Sequence, residues 1–238
     1  MIQCQITRAY AKEFLEMQYP CEVMDVAFPN YIEEAVLTTY QGKSMQSMHA
    51  AFVDINYSSN DIRIREVSRE RVERSIETGK KLGVSNVVVH TCCHPVLVNQ
   101  NVIDIWCETT ADYLRMIAEK YQVKIFVENT LDINPDILKR LMEMSDCKWL
   151  GVCLDVGHAN LSKTPVEGWM KELKPYIGYL HLNDNRGIYD EHLPIGAGMI
   201  DWISLYRQIM QLEHEPIITI EVTKPEDFEK SVAFWEKL

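Results

Sequence analysis

A chain of 238 residues with a net charge of −11 is long enough for one domain and too acidic to meet a polyanion through a broad basic surface. Its 47% hydrophobic content supplies an ordinary globular core. No apolar stretch approaches the roughly 20 residues of a membrane span, and the start MIQCQITRAY lacks a signal-peptide pattern, so a cytoplasmic protein with no membrane partner is expected.

The first strand-like run is 2–6. The segment after it, TRAYAKEF, has no glycine, which argues against a doubly wound dinucleotide-binding sheet. Further strands are expected near 21–26, 45–50 and 86–91, the third reaching His49 and the fourth His90. A helix over 101–121 follows, with Val102, Ile105, Trp106, Leu114, Ile117 and Tyr121 at helical spacing. Then come four apolar runs that each stop at a metal-capable side chain: KIFVE at Glu128, WLGVCLD at Asp155, IGYLH at His181 and IITIE at Glu221. Their strands are expected at 124–128, 149–155, 177–182 and 216–221. Between the sixth and seventh, Thr164-Pro165-Val166-Glu167 reads as a helix start with Thr164 as cap and Glu167 completing a capping box.

Strands alternating with helices eight times predict an α/β protein, a (β/α)8 barrel in a single domain over 1–238. No internal repeat, linker or charge block marks a second domain. The loops after the third strand (AAFVDINYSSND) and the seventh (NDNRGIYDEHLPIGAG) are the longest, on the face where such barrels carry out chemistry. Seven scattered cysteines without a CxxC pair read as free thiols in a reducing compartment.

Glu128, Asp155, His181 and Glu221 end four consecutive strands and can converge on one point. Three carboxylates and an imidazole, with no thiolate among them, suit Mn²⁺, Mg²⁺, Co²⁺ or Zn²⁺. Glu128 and Glu221, on strands nearly opposite around the ring, can take a proton from one side of a metal-bound hydroxycarbonyl and return it on the other, through a metal-stabilised enediolate. Each glutamate can serve as ligand and base if one of its oxygens stays free. Five of the seven histidines fall at or just past strand ends, His94 and His214 being the exceptions. His49, His90, His158, Asp190 and His192 are therefore candidates for further metal ligation or substrate binding. Gly196-Ala197-Gly198 reads as a turn rather than a phosphate cradle, and Trp202 as core rather than a sugar platform.

The segments VEN at 127–129, DVGH at 155–158, HLND at 181–184, DEHLPIGAGMIDW at 190–202 and IEV at 220–222 resemble the xylose-isomerase-like TIM-barrel superfamily, which contains sugar phosphate isomerases and epimerases and endonuclease IV (AP endonuclease family 2). For its epimerases the resemblance implies one divalent ion on Glu128, Asp155, His181 and Glu221, proton shuttling by the two glutamates, and substrate binding by His158 and Arg186. For endonuclease IV it implies that the same four residues join His49, His90, His158, Asp190 and His192 in holding three zinc ions. One ion, with up to three as the limit, and a small carbohydrate-like substrate are expected, with a homo-oligomer as a common form of such barrels. The acidity, the length, and a DVAFPN loop without basic residues for entering a duplex disfavour nucleic acid as a partner. The function expected is isomerisation or epimerisation of a sugar, sugar phosphate or related polyhydroxy carbonyl compound. The alternatives are a zinc phosphodiesterase acting on abasic DNA and a non-catalytic metal- or sugar-binding paralogue.

Overall fold

In the computed structural model, which describes residues 2–28, 30–43, 45–93 and 99–238, the apolar runs form eight parallel strands that close into a barrel in chain order. They are β1 Ile2–Ile6, β2 Cys21–Val23, β3 Ser47–His49, β4 Asn86–His90, β5 Lys124–Glu128, β6 Leu150–Asp155, β7 Ile177–Leu182 and β8 Ile217–Ile220. Closure comes from pairing β1 with β8, Ile2 opposite Ile218 and Cys4 opposite Ile220. The helices are α1 Ala11–Glu16, α2 Glu33–Thr39, α3 Ile62–Lys81, α4 Gln100–Tyr121, α5 Asp136–Ser145, α6 Val156–Leu161, α7 Val166–Leu173, α8 Trp202–Ile209 and α9 Pro225–Trp235. His94 lies outside the described residues.

Three expectations change. The second strand stops at Val23 because the chain turns into a short 3-10 segment at Asp25–Ala27. There Asp25 accepts a hydrogen bond from the Tyr40 hydroxyl at 2.5 Å and another from the Arg8 N–H at 3.2 Å. The buried stripe of α4 runs through Trp106, Tyr113, Leu114 and Ile117, while Val102 and Ile105 are exposed. The buried arc holds adjacent pairs such as Trp106 and Cys107 or Ile117 and Ala118, and at about 100° per residue Ile105 falls on the side of the helix away from the centre of that arc. At α7 the cap is Pro165, whose carbonyl accepts from Gly168 and Trp169; Thr164 makes no capping bond and its hydroxyl reaches the Ile133 carbonyl.

Most of the core lies between sheet and helices. A second cluster of Val88, Phe126, Cys153 and Tyr179 packs separately, and it underlies the site. All seven cysteines are free, as their spacing implies.

Candidate metal centre

Alternate residues of a strand face the same side, so the residue two before each strand end shares its direction. Val88 therefore lies one layer below His90, Phe126 below Glu128, Cys153 below Asp155, Tyr179 below His181 and Thr219 below Glu221. Those five lower residues are buried and fill the barrel axis, leaving the layer above to polar donors. Register brings the upper layer level: His90 pairs with Glu128 and Asp155 with His181, and the Glu221 N–H continues the ladder to the Leu182 carbonyl at 3.0 Å.

Glu128, Asp155, His181 and Glu221 are all buried and each offers a ligand atom within 4.8 Å of the others. His181 Nδ1 is 3.4 Å from Glu128 Oε1, 3.4 Å from Glu221 Oε2 and 3.9 Å from Asp155 Oδ2. Neither His181 Nδ1 nor Glu221 Oε2 has a hydrogen-bond partner among the described residues. Buried polar atoms are rarely left so, and two that face each other among carboxylates fit a cation shared between them. Burial, reinforced by Glu221 and Glu128 and opposed by His158, pushes the Asp155 carboxyl up to about 7. The donor set of three oxygens and one nitrogen suits a divalent ion of intermediate hardness. Cys153 qualifies the expectation that no sulfur is present, since its thiol lies within ligand range of Glu128 and His181. Burial raises the pKa of that thiol far above its usual value, so it stays protonated.

Asp155 also caps α6, its Oδ1 accepting from the His158 N–H at 2.6 Å while Oδ2 faces the cluster. The distal oxygens of the two glutamates are engaged rather than free. Glu128 Oε2 meets His49 Nε2 at 3.0 Å, and Glu221 Oε1 accepts from the Gln5 amide.

The other candidates surround this centre. His90 Nε2 is 3.5 Å from Glu128 Oε2, and the His49 and His90 rings stand edge to face at 4.6 Å. Burial lowers the His90 pKa to about 3, so its imidazole is neutral. His49 Nδ1 donates to the Ala50 carbonyl at 2.8 Å, which turns Nε2 toward Glu128. His158 Nδ1 donates to the Asn129 carbonyl at 2.9 Å and its Nε2 lies 3.4 Å from Asp190 Oδ2. His192, at a left-handed φ of 48°, holds Asp190 Oδ2 at 2.8 Å and the Glu221 carbonyl at 3.0 Å. Burial opposes charging His192, but the bond to Asp190 raises its pKa to about 10. Nine candidate residues thus form one connected network. Arg186 stands apart: its exposed guanidinium pairs with Glu191.

A cleft of 630 Å³ opens beside the network, lined by His90, His158 and Asp190 together with Leu131, Ile133 and Lys163. Its size is that of a small-molecule site. Gly196-Ala197-Gly198 is a turn, closed by a protein carboxylate: Asp184 accepts from the Gly196 N–H at 3.1 Å, the Ile200 N–H at 3.3 Å and Trp202 Nε1 at 2.7 Å. A Cβ on Gly198 would fall 2.2 Å from Asp184 Oδ1. Trp202 is a buried core residue.

Sequence reasoning passed over Glu22, Gln5, Asn129, Asn183 and Asp184. Each is a polar residue in or just beyond an apolar strand, a signal visible in CEV, QCQI, VEN and HLND.

The profile of the xylose isomerase-like TIM barrel matches residues 29–238. The uncharacterized protein MJ1311 of Methanocaldococcus jannaschii is 34% identical over 194 residues, which are 77% of this chain and 66% of MJ1311, just under two thirds of that relative. The crystal structure of a D-tagatose 3-epimerase-like protein superposes with a TM-score of 0.82 at 25% identity, covering 99% of this chain and 96% of the other. The TTHB071 protein of Thermus thermophilus, from a crystal soaked with ZnCl2, superposes with a TM-score of 0.79 at 22% identity, covering 99% and 96%. The chain belongs to the xylose isomerase-like TIM barrel family.

Proposed function

We propose that the protein is a divalent-metal-dependent isomerase or epimerase of a sugar, sugar phosphate or related polyhydroxy carbonyl compound. The observation that carries this reading is the buried pair of His181 Nδ1 and Glu221 Oε2, 3.4 Å apart and without hydrogen-bond partners among the described residues, with Glu128 and Asp155 completing the ring. Similarity to a D-tagatose 3-epimerase-like protein supports the substrate class. Glu128, Asp155, His181 and Glu221 would hold one Mn²⁺, Mg²⁺, Co²⁺ or Zn²⁺. When bound, the ion supplies positive charge beside the substrate oxygen on which negative charge develops.

The residues of the chain do the rest. One of Glu128 and Glu221 accepts the proton from the carbon next to the carbonyl, and the electron pair of that C–H bond moves into the enediolate. The other glutamate returns a proton, to the opposite face of the same carbon in epimerisation, or to the former carbonyl carbon in isomerisation, where the proton of the neighbouring hydroxyl passes to the former carbonyl oxygen. Gln5 and His49 hold the two carboxylates in place through their distal oxygens, and a glutamate that acts as base gives up that contact to take the proton there. His158, aimed by the Asn129 carbonyl and standing at the cleft, presents Nε2 to a substrate hydroxyl. Arg186 reaches substrate only by leaving Glu191.

A second reading rests on His49, His90 and Glu128, whose ligand atoms also fall within 4.8 Å of one another. With His158, Asp190 and His192 they supply donors for further zinc ions and for phosphodiester hydrolysis of abasic DNA. Metal content per chain separates the two, measured on protein purified without chelator. About one divalent ion is expected, together with exchange of the α-proton of a ketose or ketose phosphate in D2O that Glu221→Gln abolishes. Two or three zinc ions without exchange would transfer the assignment to phosphodiester chemistry. One ion without exchange on any polyhydroxy carbonyl compound would leave a binding paralogue.

A further inference from the structure

Glu22 is a carboxylate in the middle of the buried strand β2, with no exposed surface. A charge placed there requires compensation. All of it comes to one oxygen: Oε2 accepts from the Tyr179 hydroxyl at 2.5 Å, Thr219 Oγ1 at 2.8 Å and His181 Nε2 at 3.0 Å. Tyr179 and Thr219 belong to the layer directly below the candidate ligands, so Glu22 is seated under the centre and reaches up to the back of its only imidazole. The opposite nitrogen of that ring, Nδ1, is buried, has no hydrogen-bond partner among the described residues, and faces Glu128, Asp155 and Glu221.

We propose that Glu22 is the positioning residue of the metal centre: it holds the His181 proton on Nε2, turns the Nδ1 lone pair toward the ion, and makes the imidazole a stronger donor. The inference rests on the reading of Glu128, Asp155, His181 and Glu221 as ligands. The chemistry is that of a ligating imidazole whose second nitrogen donates to a carboxylate, and loss of such a partner weakens metal binding by about 10- to 100-fold. Two features set Glu22 apart from a purely structural acid. Its bond to His181 joins positions 159 residues apart, on strands that do not pair with each other. The Tyr179 and Thr219 hydroxyls converge on the same oxygen as His181, which fixes that oxygen in place instead of leaving the carboxylate free to rotate.

The test is the dissociation constant for Mn²⁺ and for Zn²⁺, measured by chelator competition on the full chain. Glu22→Gln keeps an oxygen that can accept from Nε2 but removes the charge; Glu22→Leu removes both. Expected are losses of about 10-fold for Glu22→Gln and about 100-fold for Glu22→Leu, with native circular dichroism in both metal-free variants. Wild-type affinity in a folded Glu22→Gln and Glu22→Leu overturns the role of Glu22 and leaves the ligand assignment standing. Failure of the wild-type chain to bind either ion overturns the ligand assignment and this inference with it. Should the variants not fold, ¹⁵N NMR of histidine in the zinc-loaded wild-type chain decides. A His181 ring protonated on Nε2 and bound through Nδ1 supports the proposal; a metal-bound Nε2 refutes it.

Discussion

Asn129 and Asp155 are joined by two hydrogen bonds across β5 and β6, in which a side-chain amide takes the part of a strand backbone. Asn129 Nδ2 donates to the Asp155 carbonyl at 2.9 Å and Asn129 Oδ1 accepts from the Asp155 N–H at 2.8 Å. The ladder between these strands ends with Glu128 opposite Cys153, so Asp155 would otherwise extend beyond its neighbour with buried, unpaired backbone groups. Asn129→Ala removes both bonds. It is expected to cost about 2–5 kcal/mol in urea unfolding, because two buried backbone groups lose their partners. Metal affinity should fall as well, since Asp155 loses its fixed position; a variant with wild-type stability would show that the ladder closes by other means.

Gly157 owes its identity to Asn183. A Cβ at position 157 would stand 1.9 Å from Asn183 Oδ1, and the same Asn183 donates through Nδ2 to Asp155 Oδ2 at 3.1 Å. Gly157→Ala must push the amide aside and free the oxygen that faces the cluster. A loss of about 1–3 kcal/mol is expected in thermal or urea unfolding, with weaker metal binding. The double variant Gly157→Ala, Asn183→Ala locates the cause. With the amide gone, the alanine at 157 should add little to the effect of Asn183→Ala alone, whereas additive losses would place the clash elsewhere.

The barrel and the four strand-end donors were legible because each depends on local sequence: a short apolar run, a polar stop, and alternation of period two. Glu128, Asp155, His181 and Glu221 need only the rule that a barrel strand ends on its functional face. Glu22 was not legible in the same way. CEV shows a charge among apolar neighbours, but nothing local says that its partner is His181, because that contact is set by how the closed ring brings β2 and β7 across the axis. Gln5 and Asn183 share this dependence on register. Helix ends were the other weak point: Thr164 has the composition of a cap, yet the carbonyl that begins α7 is that of Pro165. The direction of Arg186 was hidden for a similar reason, since Glu191 five residues on claims its guanidinium.

Asp184 holds the long β7–α8 loop, and with it Asp190 and His192. Its buried carboxylate gathers the Gly196 and Ile200 N–H groups and the Trp202 indole, and its backbone pairs in both directions with Leu193. Asp184→Ala strands four donors, these three and the Asn185 N–H at 2.9 Å, and is expected to cost about 3 kcal/mol or more. Hydrogen exchange should quicken first over 186–200, before β1 to β6 respond. Uniform acceleration across the barrel would mean that the loop has no separate stability of its own.

Asp132 supplies a dependence on pH. It is buried beside the cleft, with Oδ2 accepting from Thr91 Oγ1 and from the Thr130 N–H, both at 3.0 Å, and Oδ1 without a partner among the described residues. Burial outweighs those bonds and raises its pKa above the usual carboxylate value. The folded chain therefore retains this proton at pH values where the unfolded chain has released it. The contribution of Asp132 to stability is most favourable below its unfolded pKa of about 4 and declines as pH rises through the folded value. Asp132→Asn keeps an oxygen for Thr91 and Thr130 and cannot ionise. The difference in Tm between this variant and wild type should move in favour of the variant as pH is raised from about 4 to 7. A constant difference would place the ionised Asp132 in contact with solvent, and a difference moving the other way would require a cation bound at its free oxygen.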